Sequence, residues 1–154
     1  MIPRRVLFAL GLAAASTPAA ASECAAPLQV DRGTIVAVTG VLQRDIHWGP
    51  PNFGENPESD ARFDAWILVV SPELDVRLSD PAKGPERQRL SRLQLSVAPE
   101  IASRAELLRR VGQSVRASGK LWSASTPGDV LPVVMGVTAM ATGTPGDTLT
   151  CASR

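Results

Sequence analysis

The chain has 154 residues, with 16 basic and 15 acidic side chains, a single histidine and a formal net charge of +1. Near neutrality, no tyrosine and an aromatic content of 4% argue against a polyanion binder, which needs a basic groove and stacking faces, so nucleic acid is not expected as a partner. Two cysteines and one histidine cannot complete a four-ligand zinc site without carboxylates, so no metal and no cofactor are expected.

Residues 1–21 read as a cleaved signal peptide. Arg4 and Arg5 form a positive start, Val6 to Ala15 a short apolar run, Thr17 and Pro18 a helix break, and Ala19-Ala20-Ala21 the small-residue cleavage pattern. The apolar run is shorter than the roughly 20 residues that span a bilayer, so no membrane span is expected after cleavage. The expected location is periplasmic or secreted. Arg4-Arg5 resembles a twin-arginine signal but lacks the preceding Ser/Thr, and Glu23 before Cys24 disfavours a lipid-attachment site.

Three parts remain: an N-terminal segment (22–33), a domain (34–142) and a C-terminal tail (143–154). Cys24 and Cys151 lie at the two ends of this mature chain and, in an exported protein, read first as a disulfide tying the tail back. Such a bond would contribute roughly 4–5 kcal/mol by loop closure. Unpaired thiols are the alternative. Charge is segregated: residues 22–82 hold 4 basic and 10 acidic side chains, residues 83–154 hold 10 and 5.

In chain order, Gly33 to Arg44 is β-branched and turn-bounded and predicts a strand. Asp45 to Arg62 carries GPPNFGENPESD and predicts a loop. Phe63 to Ser71 predicts a second strand buried on both faces and ended by Pro72, with Leu74 to Leu78 a short third strand or a continuation. Asp80 to Pro85 reads as a loop and Leu90 to Val97 as a strand. Ser103 and Glu106 form an S-x-x-E capping box for a helix with Leu107, Leu108 and Val111 on its apolar face and Gly112 as its stop. Gln113 to Ser123 and Pro132 to Ala141 predict the last two strands.

The order β-β-β-α-β-β predicts a mostly β fold: a small five-stranded Greek-key barrel of the oligonucleotide/oligosaccharide-binding (OB) type, with one short helix between strands three and four. The first and fourth strands share G-x6-G-x-L (Gly33, Gly40, Leu42; Gly112, Gly119, Leu121), and these two strands pair in that barrel. A strand glycine is a place for a bend or bulge.

From Gly40 to about Met140 the chain resembles the bacterial domain-of-unknown-function family DUF4431. The carrying motifs are Gly40-x-Leu42-x-Arg44, Gly49-Pro50-Pro51-Asn52-Phe53, Trp66-Ile67-Leu68, Leu93-Gln94-Leu95, Gly112-x-x-Val115-x-Ala117-x-Gly119-x-Leu121 and Leu131-Pro132-Val133-Val134. The resemblance implies an exported barrel-type domain and no assigned activity. The chain departs from it at His47-Trp48, in the histidine-free turn Ser125 to Asp129, and in lacking a cysteine near Leu74, which leaves Cys24 to pair with Cys151.

The candidate ligand-binding residues are His47, Trp48, Pro50, Pro51, Asn52, Phe53 and, at the end of a strand, Trp122. Trp48 and Phe53 would stack a ring while His47 and Asn52 orient it; the competing reading is that Pro-Pro and the aromatics only fold the loop down. No catalytic residue is assigned. The expected function is that of a monomeric, exported, non-enzymatic barrel binding an envelope ligand or an exported protein. The alternative is a small hydrolase or nuclease-like barrel using Asp60 and Asp64 from the acidic group Glu55, Glu58, Asp60, Asp64. Arg87, Arg89 and Arg92 would face water, or a phosphate or acidic partner.

Overall fold

Runs of β-branched and other apolar residues around Val36 and Ile67 build strands longer than their turn signals predict. The computed structural model describes residues 28–30, 34–80, 84–144 and 149–151. The expected signal peptide and Cys24 lie outside the described residues, and with them the expected disulfide. The described residues form seven strands and one helix: β1 (Leu28–Val30), β2 (Ile35–Trp48), β3 (Arg62–Asp80), β4 (Gly84–Val97), α1 (Arg104–Arg110), β5 (Ser114–Ser123), β6 (Val133–Thr142) and β7 (Leu149–Cys151). Among the described residues, no helix is long and apolar enough to cross a membrane.

The mostly β architecture with one short helix is as expected, and so is its position between β4 and β5. Pairing runs β2 to β3 to β4 antiparallel, β4 to β6 parallel, then β6 to β5 and β5 to β2 antiparallel. The first and fourth expected strands therefore do pair. β1 adds to β3 in parallel and β7 to the start of β2.

Gly40 sits where β2 changes partners, from β5 over Ile35–Val41 to β3 over Val41–Trp48. A Cβ there would stand 2.4 Å from the Val69 carbonyl oxygen. Gly119 borders a register shift between β5 and β6, with the Gly136 carbonyl oxygen 2.1 Å from where its Cβ would be. Both glycines let one backbone approach another more closely than any side chain permits.

Three expectations about strand ends are corrected. β2 runs on to Trp48, because His47 and Trp48 pair with Phe63 and Arg62. β3 does not end at Pro72, which falls in a register shift between Val69 and Leu74 where no ladder N–H is needed. Leu74 to Asp80 continue β3 and pair with Gly84 to Leu90, so β4 starts six residues earlier than expected.

One apolar cluster fills the interior, including Val36, Leu42, Leu68, Leu93, Val115 and Met135, with Leu107 of α1 against it. The outer face is also covered in part. Ile67, Gln94 and Val134 point away from that cluster yet are buried. The β5–β6 loop folds over them: Gln94 donates to the Gly128 carbonyl (3.0 Å) and accepts from the backbone N–H groups of Val130 (2.7 Å) and Leu131 (3.1 Å).

Candidate anion-binding site beside the helix

Period-2 alternation puts Arg44, Ile46 and Trp48 on one face of β2, opposite Trp66, Asp64 and Arg62 of β3. α1 closes over this end. Ser103 caps it by accepting from the Glu106 N–H, while the Glu106 carboxylate turns to Arg110 (3.1 Å). Gly112 (φ +80°) stops it and donates to the Leu42 carbonyl at 2.8 Å, which ties the helix end to β2.

Between β3, the end of β4 and α1 lies a cavity of about 350 Å³ walled by Phe63, Trp66, Val97, Pro99 and Leu107 and rimmed by Arg62, Asp64 and Arg104. Asp64 accepts from Arg44 Nε (2.7 Å) on one oxygen and from Arg104 Nε (2.6 Å) on the other. Burial would raise its pKa, but the two guanidiniums outweigh burial and hold the carboxyl below the usual range. Arg62 lies over the Trp48 ring, its Cζ 4.3 Å from the centroid. Two guanidiniums thus share the Asp64 carboxylate, while the third, Arg62, stacks on Trp48. Arg104 is 65% exposed while Asp64 is 11% exposed, so the positive rim faces solvent and its counter-charge does not.

The loop next to this rim is organised by Asp60, which is buried. One oxygen accepts from the Asn52 N–H (2.8 Å) and Asn52 Nδ2 (3.2 Å), the other from the N–H groups of Gly54 (2.7 Å) and Asn56 (3.3 Å). Burial again raises the pKa and these donors lower it further, to a net value below the ordinary one. Asp60 and Asp64 are both held ionised and have different partners, which suits neither to the acid role a hydrolase would ask of them. Among the described residues no group of three or more His, Cys, Asp or Glu side chains is placed to hold a metal.

Six of the seven expected ligand residues lie in or beside this loop, and none of them lines the cavity. His47 and Phe63 approach at 6.0 Å between centroids on the outer face. Trp48 lies on the other face, with Gly54 so near that a Cβ would be 3.0 Å from its ring. Pro50 and Pro51 are exposed, with a cis bond between them. Asn52 is committed to Asp60, and Phe53, with φ +53° and 44% exposure, faces solvent. Trp122 is not with them. It pairs beyond Ile35, the opposite end of β2 from Trp48, and lies over Gly136 with 39% exposure.

Sequence reasoning missed Arg44, Arg62 and Arg104 and misread Asp64 as part of an acidic cluster. The alternations R44-x-I46-x-W48 and R62-x-D64-x-W66 would have revealed the first two once the strand ends were placed correctly.

No family model matches the chain, and no curated relative matches it. A solved structure similar to it is that of a deletion mutant of the single-stranded DNA binding protein from Thermus aquaticus, at 11% identity and TM-score 0.37. The match covers 75% of this chain and 53% of that one, so the chain spans about half its length. That neighbour is a single-stranded DNA binding protein, which runs against the expectation that nucleic acid is not a partner. That expectation rested on near-neutral charge, the absence of tyrosine and a low aromatic content.

Proposed function

We propose that the chain is an exported, non-enzymatic binding module that captures an envelope ligand bearing an anionic group on an apolar body. In this reading residues 1–21 are removed as a signal peptide, and the ring of strand pairings is a five-stranded OB-like barrel extended by β1 and β7. Membership of DUF4431 belongs to the same reading and rests on the motifs quoted for it.

One observation carries the functional part: an open, apolar-walled cavity rimmed by the Arg62 and Arg104 guanidiniums, with the Asp64 carboxylate shared between Arg104 and Arg44. Arg62 and Arg104 would take the anionic group, while Trp66 and Leu107 pack against the body. The volume, about 350 Å³, is at the small end of ligand pockets, which run from roughly 300 to 1,000 Å³.

Titration of tryptophan fluorescence with phenyl phosphate at neutral pH tests the reading, with benzyl alcohol as the uncharged comparison. Saturable quenching by phenyl phosphate, absent with benzyl alcohol and lost in Arg62→Ala/Arg104→Ala, is expected. Equal response to both probes, or an unchanged response in the double variant, would refute it.

A further inference from the structure

The half of β3 and β4 that lies beyond the register shift forms an arm, edged by β1 along Val76 to Leu78, with two unlike faces. Leu74, Val76, Leu78 and Leu90 are buried in the core. On the opposite face the register sets Asp75 across from Arg89, and Arg77 directly across from Arg87. Like charges directly opposite each other on neighbouring strands destabilise a sheet. One carboxylate serves all three. Asp75 accepts from Arg87 Nε at 2.8 Å and from the same guanidinium again through its other oxygen.

Its pKa lies below the usual range through the Arg87 hydrogen bond, against a burial effect that raises it, with the nearby charges of Arg87, Arg89 and Arg77 adding to the lowering. No hydrogen bond or ion pair joins Arg77 or Arg89 to another described side chain, and both are exposed. Arg92 continues the row towards β2 and is paired with Asp45. Among the described residues, Arg77 and Arg89 therefore share only the through-space charge of Asp75, which leaves this face net positive.

We propose that the outer face of this arm docks the phosphodiester backbone of a single-stranded nucleic acid, with Arg77 and Arg89 on successive phosphates and Arg87 fixed between them by Asp75. Arg77 and Arg89 are diagonal neighbours on the two strands, positions about 7–8 Å apart, a separation comparable to that of neighbouring phosphates along an extended single strand. Planar guanidiniums match phosphate oxygens with paired N–H donors. An acidic peptide fits less well. It would bind an exposed sheet by adding as a strand, and the free edge of β4 is blunted by Pro85, which has no N–H, and by its charges.

The arm carries no aromatic side chain, so contact is with the backbone and independent of sequence. This surface is separate from the cavity at the helix, and the two are tested by different variants.

The experiment is fluorescence anisotropy of a labelled oligo-dT strand against residues 22–154, from low to moderate salt. Two phosphates neutralised on a single strand give a log–log slope of about −1.4, or roughly a sevenfold loss of affinity between 50 and 200 mM salt. Arg77→Gln/Arg89→Gln should abolish that slope, Arg77→Lys/Arg89→Lys should retain most of it, and Arg62→Gln/Arg104→Gln should leave it unchanged. Absence of binding at low salt overturns the proposal. So does a slope that survives Arg77→Gln/Arg89→Gln, or displacement of the strand by polyglutamate at an equal concentration of charges.

Discussion

The Asp60 carboxylate holds Asn52 by both its backbone and its side-chain N–H, and its second oxygen reaches the N–H groups of Gly54 and Asn56. The 49–61 loop is thus wound around one acidic side chain. Asn at position 60 keeps an acceptor but presents an NH₂ group to backbone donors. Asp60→Asn is expected to lower the melting temperature by a few degrees and to speed amide exchange at Asn52, Gly54 and Asn56.

The pH dependence follows from the depressed pKa. A carboxyl whose folded value lies below its ordinary 3.8 contributes stability that is complete above that value and is lost as pH falls through the folded one. The gap in stability between the native chain and Asp60→Asn should therefore be constant near neutrality and close only below the ordinary carboxyl range. Thermal melts of both proteins across an acid series check this; a gap that changes between about pH 6 and 8 would point to a different group.

Gln94 does for the β5–β6 loop what Asp60 does for the other. Its amide makes three hydrogen bonds to the backbone of Gly128, Val130 and Leu131 from a buried position. Gln94→Leu leaves those groups without their partner, at a cost of about 1–3 kcal/mol by urea denaturation. It should also raise amide exchange at Val130 and Leu131 while leaving the 49–61 loop unaffected.

The order of elements could be read from residues 33–142 because turn chemistry and local alternation fix it. Ser103 starts α1 by a local hydrogen bond, and Gly112 ends it with a left-handed backbone (φ +80°). Strand ends were less legible because partners decide them. Pro72 reads as a terminator, yet a register shift absorbs its missing N–H; His47 and Trp48 read as loop, yet Phe63 and Arg62 extend the ladder to them. The cavity was the least legible part. Its rim joins Asp64 to Arg104, 40 positions apart, and that meeting depends on where α1 docks.

Gly119 provides a test of the β5–β6 contact. The Gly136 carbonyl oxygen lies 2.1 Å from a Cβ at position 119, and it is backbone that cannot swing aside. Gly119→Ala should cost about 1–3 kcal/mol or more, as overpacking does. Gly136→Ala meets the Trp122 ring at 2.6 Å instead, and an exposed side chain can rotate away. Urea denaturation should rank Gly119→Ala well below Gly136→Ala, with Trp122 emission shifting only in the latter.

Asp64 is both a structural tie and the competitor of any anion at the rim. Its carboxylate occupies Arg44 and Arg104, so a ligand anion gains only what those guanidiniums have left. Asp64→Asn removes the negative charge while keeping the shape. Two effects of opposite sign should follow. The fold weakens, because α1 loses the ion pair that joins Arg104 to β3. Affinity for phenyl phosphate rises several-fold, because Arg104 is released towards solvent and the rim gains a full positive charge. A substitution that merely loosened the site would lower both stability and affinity. Tryptophan-fluorescence titration beside a thermal melt separates the cases, and a fall in both would show that Asp64 shapes the cavity rather than competing for it.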